Sequence, residues 1–292
     1  DRSVSRGLGD VYKRQDVDYN VDRLIAGFRE ASEKQAAAVV FPELSITGYS
    51  CGDLFFQPRL RQAALEGLRR FTEATEKSGT VAIVGLPFLY GDALYNTAAV
   101  VQAGRVLALV PKTMLPNYRE FYEKRQFTSA RALGTGTREI TVNGAQVPFG
   151  TDIVFHDMSS PFSFGVEICE DLWSVIPPSS TLALHGARAI LNPSAGTELT
   201  GKAAYRRELV KQQSGRCLCA YALSSAGVHE STTDVVFGGH CLIADNGRLA
   251  AESARFLREN FLILADVDFE RLAAGRLSES SFNDNKPLPS TG

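Results

Sequence analysis

Three reactive side chains of different types each follow an apolar run of the sequence. Glu43 comes after AVVFP, Lys112 after VLALVP, and Cys169 after FSFGVEI. Sites in open α/β sheets form at the carboxyl ends of strands, so three strand ends can bring these groups to one pocket. A carboxylate can take a proton from a thiol and return it to a leaving group, while an ammonium stabilises a thiolate and an oxyanion. The three residues predict acyl transfer from an amide, with Glu43 as base, Lys112 as stabiliser and Cys169 as nucleophile.

Residue chemistry alone leaves other interpretations of these positions open. A cysteine after a strand is often a core residue. A charged residue at a strand end is often only solvated, and sequence spacing does not establish proximity. The same three groups also suit any small amide, carbamoyl or nitrile carbon. A non-catalytic assembly or binding domain fits the pattern as well.

Two further patterns compete with this chemistry. GTELTGKA (196–203) is close to the phosphate-binding loop G-x-x-x-x-G-K-[ST], but Ala203 has no hydroxyl for Mg²⁺, so we interpret it as a strand-to-helix turn. The four histidines lack the spacing of metal ligands, and Cys217 and Cys219 are one residue apart, which indicates core positions on a strand. The sequence therefore predicts no metal site.

Hydrophobic periodicity predicts the elements that position the reactive residues. Apolar residues at 21, 24, 25 and 28 indicate an amphipathic helix, with Asn20 as its cap. Ala103-Gly104 indicates a hairpin turn, and the Gly/Thr-rich stretch 117–150 is typical of long loops. Further helices are expected at 60–77, 179–187 and 202–214, and strands at 36–41, 80–87, 152–158, 162–168, 187–192, 217–224, 234–244 and 261–267. This alternation predicts one α/β domain, with a mixed sheet or two sheets packed face to face and helices outside.

Composition excludes several classes of protein. The chain has 292 residues, 44% of them hydrophobic, and a formal net charge of −2, so nothing in the charge favours nucleic acid or an anionic membrane as a partner. No apolar stretch approaches the ~20 residues that span a bilayer. Five cysteines, an odd number without a dense framework, fit a reducing compartment, and we expect a cytoplasmic protein.

Three separated segments carry a family resemblance: FPELSITGYSCGDLF (41–55), PKTMLPNYREFYEKRQF (111–127) and EICEDLWSVIPPSS (167–180). Together they resemble the nitrilase superfamily of carbon-nitrogen hydrolases, and within it the glutamine amidotransferase domains of glutamine-dependent NAD⁺ synthetases. The resemblance extends over residues 16–280. It implies a four-layer α-β-β-α sandwich in which Glu43, Lys112 and Cys169 hydrolyse the side-chain amide of L-glutamine through a thioester.

The resemblance also implies residues around the substrate. Glu123 matches an additional acidic residue that positions the lysine and the substrate, and Tyr118 matches a glutamine-contacting position. Tyr49, Glu170, Gly196 and Lys202 are further substrate-binding candidates. The family tends to have serine at 196, where this glycine offers only its backbone.

The resemblance further implies how the chain is organised. Residues 1–15 lack the expected first strand and are interpreted as a candidate non-native segment, which would weaken the sheet. Residues 281–292 are expected to be a linker or tail. The resemblance implies that the glutaminase step needs no cofactor. ATP and Mg²⁺ are expected only in a C-terminal synthetase domain, which residues 1–292 do not contain. Assembly into a homo-oligomer is expected.

Overall fold

The computed structural model describes residues 15–285 and contains two mixed sheets. The first sheet has the order β1-β2-β3-β4-β6-β5 and the second the order β12-β11-β10-β9-β8-β7 when strands are numbered along the chain. The first sheet consists of β1 (Ala38–Val40), β2 (Val81–Tyr90), β3 (Ala93–Gln102), β4 (Arg105–Pro111), β5 (Arg138–Val142) and β6 (Ala145–Phe149). The second consists of β7 (Phe155–His156), β8 (Ser163–Val166), β9 (Ala189–Ser194), β10 (Ala220–Ser225), β11 (Leu242–Asp245) and β12 (Arg248–Glu252).

Six α-helices occur in the described part of the chain. They are α1 (Val17–Glu33), α2 (Pro58–Ala74), α3 (Pro178–Leu184), α4 (Lys202–Arg216), α5 (Phe269–Ser278) and α6 (Ser280–Asp284). Within residues 15–285, none of them is both long and apolar enough to cross a bilayer.

Three apolar clusters define the layers. Phe28 of α1 and Phe71 of α2 pack on the outer face of the first sheet, against residues such as Val84. A second cluster joins the inner faces of the two sheets, and a third packs α3 and α4 on the outer face of the second sheet. Burying one face of each helix and both faces of each sheet produces the α-β-β-α sandwich that the resemblance implies.

Short turns confirm one sequence prediction and correct another. The hairpin at Ala103-Gly104 is confirmed, since these residues have positive φ and join β3 to β4. The prediction that 117–150 is all loop was wrong, because β5 and β6 form a hairpin there. Its turn is Asn143-Gly144, with φ of 50° and 83°, the type of pair that two-residue hairpins require.

Several other element predictions differ from the structure. Helix α1 begins earlier than expected, because the Asp16 side chain accepts a hydrogen bond from the Tyr19 N–H and caps it, while Asn20 lies inside the helix. The strand expected at 152–158 is limited to Phe155–His156, since the Asp157 carboxylate binds the Ser159 N–H and turns the chain. Of the strand expected at 234–244, only 242–244 lies in a strand, β11. Cys217 and Cys219 are buried but precede β10 instead of lying on it.

The remaining predictions concern the stretch 261–267 and the two ends of the chain. The stretch 261–267 is not a strand; it lines a cavity of about 610 Å³ beside β1, which is the edge strand of its sheet among residues 15–285. Helix α6 (Ser280–Asp284) overlaps the start of the stretch 281–292, for which the sequence predicts a linker or tail. The predictions for residues 1–14 and 286–292 lie outside the described residues.

Candidate active site

The structure brings Glu43 and Lys112 into direct contact. Glu43 Oε1 accepts hydrogen bonds from Lys112 Nζ and from Asn96 Nδ2, each at 2.6 Å. Both charged side chains are fully buried. Glu43 Oε2 is also buried and has no hydrogen-bond partner among residues 15–285. One carboxylate oxygen is therefore fixed by two donors, and the other is left as a free acceptor.

Glu123 supplies a second carboxylate to the same ammonium. Lys112 Nζ lies 2.8 and 3.0 Å from the two oxygens of Glu123, and Tyr49 donates its hydroxyl to Glu123 Oε1 at 2.6 Å. Burial raises the pKa of Glu123 to about 7, opposed by Lys112 and reinforced by Glu43. Burial alone would lower the pKa of Lys112, but the two carboxylates raise it well above its usual value. The lysine is thus held as a cation between two acids.

Cys169 lies within electrostatic reach of this group. It begins the 3₁₀ turn Cys169–Trp173 just beyond β8 and is 4% exposed. The pKa of the Cys169 thiol is raised to about 12, mainly by burial and also by Glu43, while Lys112 opposes the rise. The resting group is a thiol at neutral pH, so nucleophilic attack requires a base that removes its proton.

A buried carboxylate ties the cysteine turn to the lysine loop. Asp171 Oδ1 accepts from the backbone N–H groups of Met114 at 2.6 Å and Thr113 at 3.1 Å. Its Oδ2 accepts from the Ile168 N–H at 2.9 Å. The segments that follow Lys112 and precede Cys169 are therefore held at a fixed separation by one side chain.

Three of the candidate substrate residues lie together near the surface. Tyr118 is 50% exposed and donates its hydroxyl to Glu170 Oε1 at 2.7 Å. Burial raises the pKa of Glu170. Lys202 Nζ donates to Thr197 Oγ1 at 2.9 Å, and burial lowers the pKa of Lys202. An acidic and a basic group thus share one side of the site.

Two other candidates have different surroundings. The Tyr49 hydroxyl is directed at Glu123, and burial strongly raises its pKa. The Gly196 N–H is already used, since it donates to Ser225 Oγ at 3.2 Å. A Cβ at position 196 would lie 3.3 Å from the Arg206 guanidinium, so a larger residue there would press on a buried arginine. Tyr49 therefore contacts Glu123, and the Gly196 backbone is bound to Ser225 at the end of β10.

Sequence reasoning missed four residues that hold the reactive groups. Asn96 binds Glu43, Asn192 accepts from the Cys169 N–H at 2.9 Å, and the Ser194 carbonyl accepts from the Glu43 N–H at 3.2 Å. Asp171 is the fourth. Asn96 and Asn192 had a visible signal, because each is an amide within a largely apolar strand, where a polar side chain needs a partner.

Two further observations concern possible metal binding and the nearby cavity. No group of three or more histidine, cysteine or acidic residues within 15–285 could hold a metal ion. The cavity of about 610 Å³ is lined by β1, β9, β10 and 261–270, and none of Glu43, Lys112 and Cys169 borders it.

Comparison with known proteins gives consistent results. The carbon-nitrogen hydrolase family profile matches residues 5–277. A glutamine-dependent NAD(+) synthetase of Mycobacterium tuberculosis is 42% identical over 260 residues, covering 88% of this chain and 38% of that protein. The enzyme of the same name from Aquifex aeolicus is 30% identical over 276 residues, covering 93% of this chain and 44% of that protein. The chain spans about two fifths of the length of these relatives.

Solved structures show the same fold. A glutamine-dependent NAD(+) synthetase from Cytophaga hutchinsonii superposes with a TM-score of 0.75 at 29% identity, over 84% of this chain and 39% of that one. An amidase from Nesterenkonia sp. superposes with a TM-score of 0.63 at 20% identity, over 82% of this chain and 81% of that one. The second likeness is one of fold alone.

Proposed function

Because the chain belongs to the carbon-nitrogen hydrolase family, we propose that residues 16–280 form a glutamine amidotransferase domain. It hydrolyses the side-chain amide of L-glutamine to glutamate and ammonia through a thioester on Cys169. The observation that carries the proposal is the buried Lys112 ammonium held between Glu43 and Glu123, within electrostatic reach of the Cys169 thiol. A merely structural core would not place two carboxylates and one ammonium beside a buried thiol, because each buried charge is costly.

The geometry suggests how the first half of the reaction proceeds. Glu43 Oε2, the oxygen without a partner, takes the thiol proton while the Cys169 sulfur forms a bond to the amide carbon. Lys112 stabilises the resulting oxyanion. The carbon–nitrogen bond then breaks, and the proton on Glu43 passes to the nitrogen, which leaves as ammonia. The product of this half is a thioester.

Water completes the cycle. Glu43 takes a proton from water, whose oxygen forms a bond to the thioester carbon, and a second oxyanion forms beside Lys112. The carbon–sulfur bond breaks and the proton on Glu43 passes to sulfur. The product leaves with the second water proton on its new carboxyl group, which ionises in solution to give glutamate. Glu123 keeps Lys112 positioned through both of its oxygens. The proposed hydrolysis uses side chains and water, with no cofactor.

The choice of glutamine rests on the relatives and on the outer part of the site. The matching proteins are called glutamine-dependent NAD(+) synthetases. A glutamine carries an α-ammonium and an α-carboxylate, which suit an acidic and a basic side chain respectively. Glu170, bound by Tyr118, is assigned to the ammonium, and Lys202 to the carboxylate. Tyr49 acts through Glu123, and Gly196 contributes only backbone to the wall.

The longer relatives suggest what uses the ammonia. In the full-length protein, a C-terminal synthetase domain following the linker that begins near residue 281 would consume it with ATP and Mg²⁺, converting nicotinic acid adenine dinucleotide to NAD⁺. A cytoplasmic location and assembly into a homo-oligomer belong to the same proposal.

The test compares two cysteine variants in an ammonia-release assay. Cys169→Ser should abolish hydrolysis of glutamine and leave the thermal unfolding midpoint close to that of the unsubstituted protein. Cys241→Ser, the matched control at a half-buried thiol outside the site, should keep the rate. Hydrolysis of nitriles or N-carbamoyl amines without any hydrolysis of glutamine would overturn the substrate. An unchanged rate in Cys169→Ser would favour the binding-domain alternative.

A further inference from the structure

The nucleophile sits in a backbone conformation that needs support. Cys169 has φ of +46°, in the left-handed region that non-glycine residues seldom adopt. Such a conformation persists only where the surrounding structure holds it. Besides the Asp171 carboxylate, one contact that holds it is a hydrogen bond from the Cys169 N–H to Asn192 Oδ1 at 2.9 Å. Asn192 lies on β9, which pairs in parallel with β8, the strand that leads to the cysteine.

Asn192 is itself the first member of a buried chain of hydrogen bonds. Its Nδ2 donates to the Tyr221 hydroxyl at 2.8 Å, and Tyr221 donates in turn to Glu167 Oε1 through a very short hydrogen bond. Glu167 Oε2 accepts from the Ser179 N–H at 2.7 Å. Asn192, Tyr221 and Glu167 are each at most 1% exposed.

The direction of every bond in this chain is fixed by chemistry. A backbone N–H can only donate, so the Asn192 oxygen must face Cys169 and its NH₂ must face Tyr221. Tyr221 accepts that bond and has one proton to give, which goes to Glu167. The Cys169 N–H, the Asn192 NH₂ and the Tyr221 hydroxyl therefore donate in one direction, from the cysteine towards the Glu167 carboxylate. In such a series each hydrogen bond polarises and strengthens the next.

The strand order explains why this chain reaches the cysteine. β8, β9 and β10 are adjacent parallel strands, so Asn192 and Tyr221 are successive steps across the sheet. Glu167 is two residues before Cys169, so the series of hydrogen bonds begins and ends on the segment 167–169. The segment is thereby closed into a loop that cannot rotate without breaking a buried hydrogen bond, which is costly.

We propose that Asn192 and Tyr221 are positioning residues for the nucleophile. They draw the Cys169 N–H into the sheet and away from the substrate, and they hold the turn so that the sulfur faces Glu43 and Lys112. The inference deepens the proposed function and rests on it. Neither Asn192 nor Tyr221 is among the residues assigned to the substrate, so their effect must be transmitted through the orientation of Cys169.

The test uses two variants of different severity and one control. Asn192→Leu removes the acceptor for the Cys169 N–H, and Tyr221→Phe removes only the hydroxyl that links Asn192 to Glu167. Tyr95→Phe is the matched control, because Tyr95 is a buried tyrosine on the other sheet, packed against Phe149. Each variant is assayed for kcat and KM with glutamine, for the rate of alkylation of Cys169 by iodoacetamide, and for its thermal midpoint.

The expected results separate positioning from mere stability. Tyr221→Phe should lower kcat per folded molecule by about 10-fold, the equivalent of one hydrogen bond, with KM almost unchanged. Asn192→Leu should lower it by about 100-fold, the effect of misplacing a reacting group by about 1 Å. Both should slow alkylation of Cys169, and Tyr95→Phe should match the unsubstituted protein. A lower thermal midpoint in Tyr221→Phe, with kcat and alkylation rate unchanged, would overturn the proposal.

Alkylation keeps the two proposals distinguishable. Iodoacetamide reports the placement of the thiol and involves no glutamine. If the unsubstituted chain fails to hydrolyse glutamine, the substrate proposal fails, while slower alkylation in Tyr221→Phe still supports the positioning role. If hydrolysis occurs and alkylation is the same in all four proteins, the positioning role fails alone.

Discussion

The base Glu43 depends on a glycine in the neighbouring strand. Gly85 lies on β2, and a Cβ added there would be 2.2 Å from the Leu44 nitrogen and 3.0 Å from the Glu43 carbonyl carbon. The two segments are also tied together, since the Ile46 N–H donates to the Gly85 carbonyl at 3.0 Å and the Gly85 N–H donates to Ser45 Oγ at 3.1 Å. The turn that carries the base therefore lies directly against the bare backbone of β2.

Gly85→Ala should consequently displace the base. Restoring an ordinary contact of 3.4 Å to the Leu44 nitrogen requires the turn to retreat by about 1.2 Å. A shift of about 1 Å in a reacting group costs about 100-fold in rate. We therefore expect kcat for glutamine to fall by about 100-fold. The free energy of unfolding should fall by about 1–3 kcal/mol, the usual cost of overpacking.

The assay measures ammonia release per folded molecule, with stability followed by urea denaturation. Gly79→Ala is the matched control, because a Cβ at Gly79 meets nothing within 4 Å. It should leave kcat unchanged. A folded Gly85→Ala protein with the kcat of the control would refute the reasoning, since the shift of the turn that the added Cβ requires would then have no effect on the rate.

Three further substitutions test the charges of the site. Lys112→Met leaves two buried carboxylates without their cation, so urea denaturation at pH 8 should show a loss of about 3–5 kcal/mol in unfolding free energy. The loss should be smaller at pH 5, where Glu123 is protonated; equal losses would contradict this. Glu123 has a pKa of about 7 in the folded chain against an ordinary 4.5, so the stability linked to its proton is complete below pH 4.5 and is lost as pH rises to about 7. The thermal midpoint of Glu123→Gln should lack this decline, and curves parallel to those of the unsubstituted protein would argue against the shift. Tyr118→Phe removes the donor to Glu170, so KM for glutamine should rise by about 2- to 10-fold with kcat nearly constant. Steady-state kinetics showing a fall in kcat at constant KM would place this tyrosine in the chemical step instead.

The sequence singled out the three residues proposed to react, but not the residues that hold them. Glu43, Lys112 and Cys169 were identifiable because each is a reactive type directly after a buried strand. Their meeting depends on two sheets packing face to face, and no local pattern specifies which strand ends come together. The bond from the Glu43 N–H to the Ser194 carbonyl, which crosses from the first sheet to the second, is such a contact.

Two of the wrong predictions, for 117–150 and 261–267, have causes in the local sequence. The Asn143-Gly144 turn was present in the sequence, but the Gly/Thr-rich composition around it favoured a loop interpretation. The apolar stretch 261–267 resembles a strand, yet a strand needs a neighbour for its backbone, and in the described residues this stretch faces a cavity. Composition and periodicity describe one segment at a time, whereas pairing is a property of two.

Covalent trapping tests the central claim most directly. The glutamine analogue 6-diazo-5-oxo-norleucine should alkylate the protein once per chain, and peptide mass spectrometry should place the label on Cys169. Excess glutamine should protect the thiol. Label on another residue, or labelling that glutamine does not slow, would contradict the assignment of this cysteine as the nucleophile of a glutaminase.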